Sequence, residues 1–111
     1  NILLDETGGP NHVQNFCFSP VHGDTRTGQL IYTNAHYYIG HFSKFIKAGA
    51  KRIISSSSRS QLLTTAFKNE DGKVVVIVMN QGNIKTPYNL WINGKAAACT
   101  ALPHSISTLI L

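Results

Sequence analysis

The stretch Leu3-Leu4-Asp5-Glu6-Thr7-Gly8-Gly9-Pro10-Asn11-His12-Val13-Gln14-Asn15-Phe16 decides how the chain is read. Ile2-Leu3-Leu4 is a short apolar run, the pattern of a strand end buried on both faces of a parallel sheet. The next seven residues are turn formers. Gly8 and Gly9 permit backbone angles closed to other residues, and Pro10 fixes its own. A long loop is expected from there to about Gln29. It carries Phe16, Cys17, Phe18 and Val21, too apolar a set for a floppy linker, and long ordered loops are often functional.

Working outward, the period changes at Asn34. Ala35, Tyr38, Phe42 and Phe45 recur at steps of three, four and three, which predicts one face of an amphipathic helix over about 34–47. Asn34 can cap its start, Lys44 and Lys47 suit the dipole at its end, and Gly49 can stop it in a left-handed turn. Beyond Gly49 the pattern is β. Strands are expected at Arg52–Ser56, Leu62–Lys68, Lys73–Met79, Tyr88–Ile92, Lys95–Ala101 and His104–Leu111. Asp71-Gly72 and Asn93-Gly94 mark hairpin turns, and the β-branched run at 73–79 reads as a central strand. The fold class is therefore mostly β: an antiparallel sandwich domain over 49–111. Residues 1–48 are read as the last strand, loop and helix of a barrel.

Composition narrows the function classes. The net charge is +5, but the ten basic residues are scattered, and the densest group (Lys44, Lys47, Lys51, Arg52) has no interleaved aromatics, so a solvated face is read there rather than a nucleic-acid surface. Cys17 and Cys99 form no CxxC pair; two thiols or a disulfide both remain open. His36 and His41 lie five apart, off one helical face, and His12, His22 and His104 have no ligand spacing, so no metal and no cofactor are expected. No run of about 18 apolar residues is present to span a bilayer. The chain opens on Asn1 without an initiator Met and reads as part of a longer gene product.

The acids are Asp5, Glu6, Asp24, Glu70 and Asp71. Glu70 and Asp71 fall in a hairpin turn and Asp24 in a polar loop, where charge is solvated. Asp5 and Glu6 follow the opening strand at its C-terminal end, where barrels place their chemistry. Glu6 is read as a tie for the Gly8-Gly9-Pro10-Asn11 loop, accepting its backbone N–H groups. Asn11, Asn15 and Phe16 offer amide and aromatic groups of the kind that hold a sugar.

Three motifs carry a resemblance over essentially the whole chain. The opening stretch quoted above resembles the last barrel loop of glycoside hydrolase family 30. Tyr37-Tyr38-Ile39-Gly40-His41-Phe42-Ser43-Lys44-Phe45-Ile46 with Gly49-Ala50-Lys51-Arg52-Ile53 resembles the family's final helix and its crossing into a side β domain. Pro103-His104-Ser105-Ile106-Ser107-Thr108-Leu109 resembles its closing strand. The resemblance implies a retaining β-glycosidase, glucosylceramidase-like, acting by double displacement on a glucosyl lipid or β-glucan oligosaccharide. Its two catalytic glutamates would lie upstream of Asn1, so the chain alone is expected to be inactive. Asn15 and Phe16 would face the glycone. His12 stands where acid β-glucosidases carry Trp. The family implies a secreted, periplasmic or lysosomal setting. It also implies a sandwich strand supplied from elsewhere, hence an exposed sheet edge open to strand pairing. The alternative reading is a non-catalytic carbohydrate-binding or structural β-sandwich; its aromatic candidates, Trp91, Tyr88 and Phe67, are each expected in the core.

Overall fold

The computed structural model describes residues 1–111. The opening apolar run forms β1 (Leu3–Asp5), which pairs in parallel with β2 (Val21–Asp24); β2 turns back into β3 (Gln29–Tyr32), giving the order β1-β2-β3. The parallel pairing agrees with the sequence reading. Burial on both faces does not, because β1 has a single neighbour and Leu3 is 56% exposed. The expected uninterrupted loop to Gln29 is also corrected: the hairpin β2–β3 lies within it. Its turn is built by Asp24, whose Oδ1 accepts the N–H groups of Arg26 and Thr27, and by Gly28, which donates to Asp24 O at positive φ.

Helix α1 spans Asn34–Ser43, shorter than the predicted 34–47. One further helical bond, Ile46 N–H to Phe42 O, extends it before Gly49 takes φ +84°. No residue of α1 is fully buried; of its apolar stripe Tyr38 is half-buried and Ala35 and Phe42 are exposed. The backbone divides into two compact units, Asn1–Gly40 and His41–Leu111.

In the second unit β4 (Lys51–Ile53), β5 (Leu62–Lys68), β6 (Val74–Asn80) and β9 (Ser105–Ile110) form one antiparallel sheet in the order β4-β5-β6-β9. β7 (Thr86–Ile92) and β8 (Lys95–Ala101) form a second. Strand β6 is interior, as its β-branched run predicts, with Val75, Val76, Ile77 and Val78 all buried. Ile53, Ala66, Val76 and Leu109 stand side by side across all four strands. Tyr88, Leu90 and Ala101 of the second sheet pack against this row. Burial first, and the Cys99 thiol second, push the Tyr88 phenol up to about 12.

Both predicted hairpins form. Asn93 and Gly94 both take positive φ between β7 and β8, the paired left-handed geometry that suits the right-handed twist of the strands. Glu70-Asp71-Gly72 joins β5 to β6, with Gly72 N–H donating to Asn69 O and Asn69 N–H to Lys73 O. The Asn69 side chain, 6% exposed, donates to Phe45 O and accepts Lys47 N–H, fixing the crossing from the helix to this sheet. His41 Nδ1 lies 2.8 Å from Thr108 Oγ1 and anchors the same segment to β9.

Trp91 corrects the sequence reading, because it is 70% exposed rather than in the core. It occupies the outward position between inward-facing Leu90 and Ile92 on a pleated strand. The second sheet has only two strands, so β7 and β8 each lack a neighbour on one side. An open seam of about 700 Å³ runs along β7, lined by core-facing Val76, Val78 and Leu90 and by the polar stretch Ser55–Arg59.

Candidate functional site

No carboxylate lines the seam. Hydrolysis of a glycoside calls for two, so the seam is an unfilled core layer rather than an active site. The loop after β1 is the better candidate, and it builds from Asp5 outward.

Asp5 Oδ1 accepts the Thr7 N–H at 2.9 Å and the Thr7 hydroxyl at 2.7 Å, while Oδ2 accepts the Asn11 amide. Gly8 N–H closes a turn onto Asp5 O. Gly8 takes φ +88°, and a Cβ there would sit 2.7 Å from Cys17 O. One residue on, Gly9 and Cys17 exchange both backbone hydrogen bonds, at 3.3 and 3.1 Å. The Gly9-Pro10 peptide is cis. Pro10 O then accepts the N–H groups of Val13 and Asn15, and Gln14 sits left-handed at φ +54°. The segment 10–16 is thus a small closed lobe with a fixed neck.

Asn11, His12, Asn15 and Phe16 all lie exposed on this lobe. Asn15 Oδ1 accepts the Cys17 thiol at 3.3 Å, which orients its amide. Phe16 is 64% exposed and Val13 58%. The loop therefore gathers His12, Asn15 and Phe16 on one short segment, with Gly8, Gly9, Pro10 and Asn11 as its frame.

Glu6 does not tie down that frame, contrary to the sequence reading. It accepts the Thr25 N–H at 2.9 Å and the Thr25 hydroxyl, on the turn between β2 and β3. Asp5 holds the loop instead. Adjacent side chains at a strand end point to opposite faces, so the two neighbours serve different partners. The Asp-x-Thr spacing was the available signal, since an aspartate readily accepts from the backbone two residues on. Cys17 is an exposed free thiol and Cys99 a half-buried one.

None of the three carboxylates in this unit is tuned as an acid. The Thr7 hydroxyl, then the Asn11 amide, hold Asp5 below its ordinary value. Thr25 N–H does the same for Glu6. The Arg26 guanidinium, 3.2 Å away, holds Asp24 down to about 2. A general acid for glycoside cleavage needs the opposite shift. Asp24 also gives a pH prediction. Its folded value lies below the free value of 3.8, so its hold on the β2–β3 turn is complete above that pH and is lost as pH falls toward about 2. In an NMR titration, the Arg26 and Thr27 amides should shift with a midpoint near 2. A midpoint at 3.8 or above would show the ion pair to be absent in solution.

Comparison with known proteins gives the family. Residues 1–46 match the glycosyl hydrolase family 30 TIM-barrel domain, and residues 49–109 match the family's beta sandwich domain. The chain belongs to glycoside hydrolase family 30. It is 36% identical over 91 residues to the lysosomal acid glucosylceramidase of Mus musculus, covering 81% of this chain and 18% of that protein. The crystal structure of SrfJ from Salmonella typhimurium superposes with a TM-score of 0.95 at 34% identity, covering all of this chain and 25% of that one. The endo-beta1,6-glucanase BT3312 shares the fold at a TM-score of 0.82 and 23% identity, over 97% of this chain and 25% of its own. The family 30 chain thus spans about a fifth to a quarter of the relatives it matches.

Proposed function

We propose that this chain is the C-terminal part of a retaining β-glycosidase, glucosylceramidase-like, whose two catalytic glutamates lie in a preceding segment. The boundary is read at 48/49, between a final barrel unit and the sandwich. The loop after β1 supplies the glycone wall: Asn15 offers an amide to hydroxyls, Phe16 an aromatic face to the ring's C–H surface, and His12 a polar neighbour toward the aglycone. The observation carrying this reading is the latched lobe itself. It presents Asn15 and Phe16 to the outside at the C-terminal end of β1, beside carboxylates that are all held ionised by other partners. Catalysis would proceed through a glycosyl-enzyme intermediate formed on a glutamate outside this chain.

The purified 111-residue chain should not hydrolyse an aryl β-glucoside above the buffer rate. A longer form carrying the preceding barrel should turn over. In that form Asn15→Ala should lower kcat/KM by about tenfold to a hundredfold, because a site built to bond a hydroxyl loses that bond in the transition state. Turnover by the short chain would overturn the division of labour. We read the free edge of β7 and the adjoining seam as the place of a further sandwich strand, from the same protein or, in its absence, from a second chain.

Exposed Trp91 keeps a second reading in play, a carbohydrate-binding module. As the sole Trp, its fluorescence reports directly. Quenching by β-glucan oligosaccharides in the short chain would favour that reading. Half-buried Tyr88, packed against the core, argues against it, because it does not join Trp91 in an exposed platform.

A further inference from the structure

His22 is a buried imidazole that no part of the reading above uses. It is 5% exposed, on β2 opposite Leu4 of β1. Both ring nitrogens meet backbone. Ser19 N–H donates to Nε2 at 3.2 Å, and Nδ1 lies 2.7 Å from Asp5 O. A peptide N–H only donates and a peptide carbonyl only accepts. Nε2 is therefore the bare nitrogen, and Nδ1 carries the proton and donates to Asp5. Only the neutral ring in that tautomer satisfies both bonds. Ser19 is itself buried and donates its hydroxyl to Val21 O. The Phe18 ring meets the imidazole edge-on, 5.5 Å between centroids.

Asp5 and Ser19 flank the functional loop: the first residue precedes Glu6 and the second follows Phe18. The neck of the loop accordingly has two layers. The outer one is the backbone pair Gly9–Cys17, and the inner one is the His22 ring. A leucine or isoleucine would fill this site without needing two hydrogen bonds, so the imidazole is suited to holding the two chain ends at a set separation.

We propose that His22 is a positioning residue for the glycone loop. In its neutral Nδ1–H form it pins Asp5 to Ser19 and so fixes where Asn15 and Phe16 stand; it touches no substrate. The kinetic part of this inference rests on the reading that the loop contacts the sugar. The pin itself does not.

The test uses the full-length protein with His22→Phe, which keeps a planar ring and loses both bonds. His22→Asn retains a donor near Asp5 O, and His22→Gln retains an acceptor near Ser19 N–H. Hydrogen exchange of residues 7–17 and kinetics on an aryl β-glucoside are read together. His22→Phe should speed exchange across the loop by at least about tenfold. It should also lower kcat/KM by about tenfold or more, chiefly through KM, since a small misplacement of a contact group is costly. His22→Asn and His22→Gln should each restore part of both. A lower melting temperature with loop exchange and KM unmoved overturns the proposal. Should His22→Phe fail to fold, wild-type loop exchange in both amide variants overturns it. If Asn15→Ala leaves kcat/KM unchanged, the sugar-contact reading fails, and loop exchange alone still decides the pin.

Discussion

Asn80→Ala is expected to destabilise the second unit by about 2 kcal/mol, a large effect for a single side chain. Asn80 is 1% exposed. Its Nδ2 donates to Ile84 O at 2.9 Å and Leu102 O at 3.0 Å, and its Oδ1 accepts Gly82 N–H at 2.9 Å. Truncation leaves the Gly82 N–H without its partner and takes one donor each from Ile84 O and Leu102 O, which keep the Thr86 and Ser105 hydroxyls; together these losses cost on the order of 2 kcal/mol. For a domain of this size the melting temperature should fall by roughly 8–16 °C. Asn80→Asp is the sharper variant. It keeps an acceptor for Gly82 but sets a negative charge against two carbonyl oxygens, so it should be worse than alanine at neutral pH. It should recover as the pH drops and the carboxylate takes up a proton. Urea unfolding of both variants measures this. A loss under about 1 kcal/mol for Asn80→Ala would show that water replaces the amide.

Gly8→Ala is expected to have the largest effect on the loop. The backbone there holds φ +88°, and the added methyl would meet Cys17 O at 2.7 Å. That contact is with backbone, which does not swing aside. The strained φ alone costs of order 1–3 kcal/mol, and the clash adds to it by prising Gly9 from Cys17. In the full-length protein kcat/KM should fall by about a hundredfold, because the Asn15 lobe shifts by something near an ångström. Gly28→Ala is the matched control. Gly28 also has positive φ, at +73°, but nothing lies within 4 Å of its added methyl. It should show the backbone cost with kinetics unchanged. Equal kinetic effects from the two glycines would refute the neck as the source.

Much of this was readable from residue types. Asn93-Gly94 and Asp71-Gly72 announce their hairpins because few other residues accept the left-handed angles those turns require. The run at 73–79 announces an interior strand because valine and isoleucine occupy both faces. Strand β2 was hidden, since His22 and Gly23 break any alternation and the burial of His22 depends on partners far along the chain. Glu6 was read as the loop tie that Asp5 makes, because two adjacent carboxylates look alike until the strand's pleat sends them to different faces. Trp91 was expected in the core, whereas the register of β7 turns it outward. The loop's motif was visible throughout; the latch from Asp5 and the pin from His22 were not, because each joins residues through side chains whose geometry appears only after folding.

The single amide of Asn80 ties together the connection 81–85 and the connection 102–104. Neither segment is then free to lengthen alone, since an inserted residue in either would carry a carbonyl out of reach. The serine-rich run at 55–58 makes no such commitment and is exposed along its length. Natural insertions, epitope tags or circular-permutation cuts should therefore be accepted between β4 and β5 and rejected at the end of the sandwich where Asn80 sits.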